Sequence, residues 1–429
     1  MAASAPKPDY TVDDLTLISV DDHIIEPPGL FDAHIPSKYR DRCPQLVFDA
    51  SGTAQTWAWE GGRSTTTFIN AVVTLPKKEW GFDPATIAEV RPGCYDPAAR
   101  VRDMDRNGIL ASMCFPSFPA FSGRFFAQVD DKDLAIATLR AYNDWAIDEW
   151  AGSHPGRFVP LALPAIWSPK LSAEEVRRVA RKGCTAITFS EDPMDLGFPS
   201  HHTGEWDEFF AACCDEGVTL AIHIAADAQG LPGHDANPLD ARLTIPTWAA
   251  IPTLANWLWS PALQKFPELK IALSEGGTSW IPGFLDRMER HYENQRWTGS
   301  DLGGKTPTET FREHFLACFI SDPSGLLLRD RIGIDNIAFE TDYPHSDCIF
   351  PNAPEDMMEK LEACGATREE ADKIGFENAM RFLRFDPFRH VARRDATVGA
   401  LRKRAGDVDT RTRSRAEYKA EFEARSGHA

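Results

Sequence analysis

The chain has 429 residues, enough for two modest domains or one large barrel. With 43% hydrophobic and 26% charged residues it has the balance of a globular protein, which excludes disorder over the whole length. Its 46 basic and 64 acidic side chains leave a formal charge of −18, which argues against a nucleic acid or an anionic membrane as partner and leaves a small molecule. No apolar run approaches the ~20 residues of a membrane helix, and the start MAASAPKPDYTVDD lacks a basic stretch followed by an apolar one, so a cytoplasmic protein is expected. The nine cysteines contain no C-x-x-C pair and read as reduced thiols, with Cys213-Cys214 packed in an amphipathic helix.

In chain order, the first β-rich run is 15–23 (LTLISVDDH). Residues 41–95 follow as an insertion of short strands with Gly turns. Then helical periodicity and apolar runs alternate: helix 97–107, strand 109–116, helix 131–153, strand 157–164, helix 171–182, strand 184–190, helix 204–216, strand 218–225. A Gly/Pro/Asp loop (226–246) precedes helix 247–265, strand 269–277, helix 279–297, strand 315–322, helix 323–331 and strand 336–345; helices 355–364 and 367–384 close the series. Strands alternating with helical stretches imply parallel β-structure with crossover helices, and near-continuous apolar strands imply a sheet buried on both faces. Eight such units close most naturally as an α/β fold of the (β/α)8 TIM-barrel type over residues 1–386, with a doubly wound open sheet as the competitor.

Beyond 387 the composition turns Arg-rich and helical, with 11 Lys+Arg against 6 Asp+Glu over 389–425. This segment, 387–429, reads as a basic arm wrapping a partner subunit or its own barrel. With the apolar segment 246–259 it makes a homodimer the expected assembly.

In a barrel of this kind the chemistry sits at the C-terminal ends of the strands. The first strand ends Asp21-Asp22-His23, where side chains two apart share a face, so Asp21 and His23 point inward together and Asp22 points away. The fifth ends at His223, the sixth at Glu275-Gly276-Gly277 and the eighth at Asp342-Tyr343-Pro344-His345. Two carboxylates and two imidazoles at matching strand ends are costly to bury together unless a cation neutralises them.

At these residues the sequence resembles the amidohydrolase superfamily, specifically the amidohydrolase-related family that includes aminocarboxymuconate-semialdehyde decarboxylase. The resemblance runs from about 17 to 385 through VDDHIIEPPGLF (20–31), FPSFPAFSG (115–123), YNDWAIDEWAGSHPGRFVPLALP (142–164), LGFPSHHTGEWD (196–207), AIHIA (221–225), FPELKIALSEGGTSWIPGFLDRM (266–288) and AFETDYPHSD (338–347). It implies that His23 and His223 are metal-binding histidines, that Asp342 is the strand-eight aspartate and that Asp21 opens the strand-one metal motif. Two departures stand out. Family members often carry histidine at the position of Asp21, a carboxylate being a known variant. Many also have His-Gly-Gly where this chain has Glu275-Gly276-Gly277.

The implied metal set is therefore Asp21, His23, His223 and Asp342, holding one divalent ion; Zn²⁺ is the first expectation, with Mn²⁺ or Fe²⁺ as alternatives. Asp342 and Glu275 are the catalytic candidates; His202, His345 and Glu26 are candidates for substrate contact, and Glu340 for steadying a ligand from one layer deeper. The leading expectation is a metal-dependent hydrolase that activates water against a small organic acid, an amide or a C–C bond. The alternatives are non-oxidative decarboxylation of an aromatic or unsaturated carboxylic acid, and a metal-free relative that only binds.

Overall fold

The computed structural model describes residues 9–81, 85–227, 234 and 236–426. Among the described residues twelve strands form three sheets. Ile18–His23 (β1), Ala111–Phe115 (β5) and Phe158–Val159 (β6) make one parallel sheet in the order β1-β5-β6. Leu161–Ala162 (β7), Ala186–Thr188 (β8), Thr219–His223 (β9), Ile271–Ser274 (β10), Phe315–Phe319 (β11) and Ile337–Phe339 (β12) make the second, in the order β12-β11-β10-β9-β8-β7. Gln45–Phe48 (β2), Gln55–Trp59 (β3) and Gly62–Arg63 (β4) form an antiparallel meander that follows β1 in the chain. Pro160, which has no N–H to give a ladder, separates β6 from β7, so the expected strand 157–164 is one run interrupted once. Counted that way, eight parallel strands follow one another in sequence order with helices between them, which is the (β/α)8 fold.

By compactness the chain divides into two units. One holds residues 1–11, 163–340 and 357–385; the other holds 12–162, 341–356 and 386–429. In the first unit β9, β10, β11 and β12 are buried at every position, so these strands are apolar on both faces as the sequence implied. In the second, β1 is buried along its whole length although three of its six residues are Asp21, Asp22 and His23.

The helices begin where local chemistry starts them. Asp96 caps Pro97–Asn107, accepting from the amides of Ala98 and Ala99, and Gly108, at φ 73°, ends it. Thr306 and Glu309 form a reciprocal capping box on Pro307–His314. The expected helix 131–153 is α-helical over Lys132–Trp145 and continues as a π-helical turn over Ala146–Ala151. The expected strand 336–345 stops at Phe339, because the chain turns at once into the site. The expected loop 226–246 holds short helices at Leu239–Thr244 and Pro246–Ala249, while 228–233 and 235 lie outside the described residues.

The C-terminal arm folds onto its own unit. Arg402 pairs with Glu355, Arg102 with Asp407, and Arg415 bonds the Glu79 carboxylate through its backbone amide. All nine cysteines are free thiols. Among the described residues no helix is long and apolar enough to cross a membrane.

Candidate metal centre

Alternation along β1 divides three consecutive residues between two tasks. Asp21 and His23 lie together, with His23 Nε2 at 3.5 Å from Asp21 Oδ1, both fully buried. Asp22 faces the other way and ties the segment down. Its carboxylate accepts from the Ser19 hydroxyl at 3.1 Å, the Thr341 hydroxyl at 2.5 Å, the Tyr343 amide at 2.9 Å and the Ser112 hydroxyl. Burial raises the Asp22 carboxyl above the usual range, and the nearby Arg100 guanidinium and these donors oppose it. Backbone bonds from Asp342 N to Asp21 O (2.9 Å) and from His23 N to Tyr343 O (2.7 Å) lace the segment beyond β12 to β1.

Asp342 sits at φ 53°, a left-handed conformation uncommon for a residue with a Cβ. Its Oδ1 lies 3.1 Å from His23 Nε2 and 2.7 Å from His345 Nδ1. The two imidazoles stack with centroids 3.8 Å apart, and the Phe121 ring lies 5.2 Å from His23, tilted to it. Burial alone would push the Asp342 carboxyl up; the flanking His345 and His23 override it and hold the group below the usual carboxylate range. His23, Asp342 and His345 each bring one donor atom within 4.8 Å of the other two, all buried. Two nitrogens and a carboxylate oxygen converging out of water are a donor set that fits a divalent cation. His345, expected at the substrate, lies beside Asp342 in this cluster.

The first unit holds a second cluster. His223 ends β9, with Nδ1 at 2.6 Å from the Ile224 carbonyl and Nε2 at 3.2 Å from Glu275 Oε2. The Nδ1 contact fixes the ring and turns Nε2 toward the carboxylate. Glu275 follows β10 at φ 59° and keeps about a fifth of its side chain exposed. Its amide donates to both oxygens of Glu340, at 3.1 and 3.2 Å. Glu340 therefore steadies the backbone of Glu275.

Of the remaining candidates, Glu26 is fully buried and accepts from the Ser117 and Phe118 amides at 2.9 and 3.0 Å and from the Tyr142 hydroxyl at 2.9 Å. Burial still pushes its carboxyl up to about 7. His202 bonds Asn256 Oδ1 at 2.6 Å, and Asn256 in turn donates to Asp192 at 2.8 Å. Its neighbour His201 is buried flat against Trp257, centroids 4.2 Å apart, and burial lowers its imidazole to about 4. Sequence reasoning missed the scaffolding role of Asp22, Ser112 and Thr341; the signal was there in Asp22, an acidic residue on the outward side of a strand buried on both faces. Trp57 and Phe118 are core packing, stacked at 4.6 Å.

Residues 32–385 match the amidohydrolase family. The chain belongs to that family. The match begins after β1, so Asp21 and His23 lie ahead of it. Solved structures share the amidohydrolase's fold at low identity. An amidohydrolase from Mycobacterium avium subsp. paratuberculosis K-10 aligns with a TM-score of 0.66 at 22% identity, over 86% of this chain and 99% of its own. 5-Carboxyvanillate decarboxylase from Sphingomonas paucimobilis aligns at 0.57 and 19%, over 87% and 100%. A dihydroxybenzoic acid decarboxylase from Polaromonas sp. JS666, solved with manganese and the inhibitor 2-nitroresorcinol, aligns at 0.55 and 18%, over 88% and 99%.

Proposed function

We propose that this amidohydrolase is a divalent-metal-dependent, non-oxidative decarboxylase of a small aromatic or unsaturated carboxylic acid. The observation that carries the reading is Asp342: a buried carboxylate flanked by His23 and His345, with Phe121 beside His23. Such a carboxylate is placed to take a proton from His345 and hand it to a flat substrate against an aromatic wall. The names of two solved proteins of this fold, acting on 5-carboxyvanillate and on a dihydroxybenzoic acid, point the same way.

Asp21, His23 and Asp342 would hold the ion, with His223 as the further ligand that the strand-end pattern and the family resemblance call for. A bound ion would supply positive charge to neutralise the substrate carboxylate. Asp342 then delivers a proton to the carbon bearing the carboxylate. The C–C bond breaks, its electron pair returns to the unsaturated system and CO₂ leaves, so that R–CO₂⁻ plus H⁺ gives R–H plus CO₂. His345, in contact with the same Asp342 oxygen, returns the proton for the next turnover.

Hydrolysis is the second reading. It is favoured by Glu275, a carboxylate 3.2 Å from His223 where many relatives have a histidine, and so a base for water in place of a cationic donor. Incubation with aryl and unsaturated carboxylic acids in H₂¹⁸O separates the two. CO₂ release with no ¹⁸O in the organic product is expected; an ¹⁸O-labelled product without CO₂ would establish hydrolysis. Elemental analysis is expected to find about one divalent ion per chain, and it decides between Zn²⁺ and the Mn²⁺ held by the Polaromonas relative. Trp248, 55% exposed within the apolar segment 246–259, supports a homodimer through that segment, checked by sedimentation.

A further inference from the structure

Asp342 holds a left-handed backbone conformation, uncommon for a residue with a Cβ, which persists only where the surroundings over-determine it. Part of that determination comes from Asp22 and β1. The rest comes from an unexpected direction, through Tyr343 and Pro344, the two residues between Asp342 and His345.

The Tyr343 hydroxyl donates to Asp103 Oδ2 at 2.7 Å. Asp103 is buried and doubly bonded by Arg91, from Nε to Oδ2 at 2.7 Å and from Nη2 to Oδ1 at 2.6 Å. The same Arg91 Nη2 reaches the C-terminal arm, donating to the Asp409 carbonyl at 2.9 Å. A second path runs beside it. The Pro344 carbonyl accepts the amides of Val72 and Val73 at 3.1 and 2.9 Å. Thr74, next in the chain, is gripped by the arm at both ends: its carbonyl accepts the Arg413 amide at 2.9 Å and its hydroxyl bonds the Tyr418 hydroxyl at 2.6 Å. Gly93 leaves room for the junction, since a Cβ there would collide with Asp103 Oδ2 and lie 2.6 Å from the Tyr343 hydroxyl.

We infer that the C-terminal arm is a working part of the site: Asp103 and Arg91 are positioning residues for Asp342, and the arm is the clamp that holds them. The family match ends at 385, so the clamp is built from sequence that lies beyond it. A bidentate Arg–carboxylate pair is a stiff element, and a hydroxyl bonded to it transmits that stiffness to the next peptide.

The inference rests on Asp342 being a metal ligand, so its test reads Mn²⁺ affinity by titration of the purified full chain and of Tyr343→Phe, Asp103→Asn, Gly93→Ala and a chain ending at residue 408. Removing a group that orients a ligand typically costs 10–100-fold in affinity, and about tenfold weaker Kd is expected for Tyr343→Phe and for the shortened chain. The two changes combined are expected to cost little more than either alone, because they break one path. Wild-type affinity in Tyr343→Phe and in the shortened chain, with circular dichroism unchanged, would overturn the inference and leave the network a purely structural one. If one variant does not fold, Tyr418→Phe and Asp103→Asn carry the same comparison. A wild-type chain that binds no Mn²⁺, Zn²⁺ or Fe²⁺ sinks the metal reading instead. Amide exchange then decides the inference without metal: faster exchange at Val72, Val73 and His345 in the shortened chain supports it, and unchanged exchange refutes it.

Discussion

The Asp22 carboxylate accepts the backbone N–H of Tyr343 at 2.9 Å, joining the end of the first strand to the turn that carries Asp342. The same carboxylate takes the hydroxyls of Ser112 and Thr341. Asp22→Ala would leave the Tyr343 amide without this acceptor, at about 1–3 kcal/mol, and would leave the two hydroxyls only their contacts with Cys114 Sγ and Ser19 Oγ, both at 3.2 Å, with a further loss for each. A loss of at least about 3 kcal/mol in urea unfolding is expected, with Asp22→Asn intermediate. A change under 1 kcal/mol for the alanine variant would show that the turn is held without it.

Asp342→Asn keeps the shape of the side chain and removes the proton carrier. Turnover is expected to fall at least about 100-fold, with metal retained but more weakly bound. Rates and bound metal are read on the same preparation; turnover near that of the wild type removes Asp342 from its proposed role.

His345→Gln tests the relay. The Asp342 oxygen it faces would lose an imidazole 2.7 Å away. The rate is expected to drop by about 10- to 100-fold, with a change in the pH profile that a folding defect would not produce. An unaltered profile would assign the proton return elsewhere.

Two buried groups act oppositely on stability between pH 4 and 7. Burial carries the Glu26 carboxyl up from 4.5 to about 7, so the folded state holds a proton that the unfolded state has released. Its penalty is absent below about pH 4.5, grows as pH rises and is complete above about 7, reaching about 3 kcal/mol. Relative to Glu26→Gln, the wild type should therefore lose stability across that window. Parallel stability curves for the two proteins would refute the shift.

His201 has the reverse sign. Its imidazole falls from 6.5 to about 4 on burial against Trp257, so the unfolded state binds the extra proton. The neutral ring's advantage is fully present above about pH 6.5 and is lost as pH falls toward 4, a swing of about 3 kcal/mol. His201→Phe should flatten this acid limb in thermal unfolding; an unchanged limb would mean that the ring stays charged in the fold.

Much of this was readable from local rules. Asp96-Pro97 and Gly108 mark the ends of their helix, and alternation at 21–23 separates Asp21 and His23 from Asp22. Long-range closure was not readable. No local pattern shows that Glu26 spends its oxygens on Ser117, Phe118 and Tyr142, or that Arg91 and Asp103 meet Tyr343 some 240 residues away in sequence. Strand eight ends at Phe339, short of the expected 345, because only NIAF is apolar and the polar ETDYPH that follows is turned by acceptors elsewhere in the fold. Nor does the spacing of three residues between Asp342 and His345 show by itself that the turn brings them to 2.7 Å.

Three adjacent positions on one strand carry both the chemistry and its anchorage, Asp21 and His23 on one side and Asp22 on the other. Losing or gaining a single residue just upstream would exchange those sides, presenting the anchor to the reactants and burying the reactive pair in the scaffold. The segment therefore tolerates substitution only within its buried pattern, and no change in its count of residues.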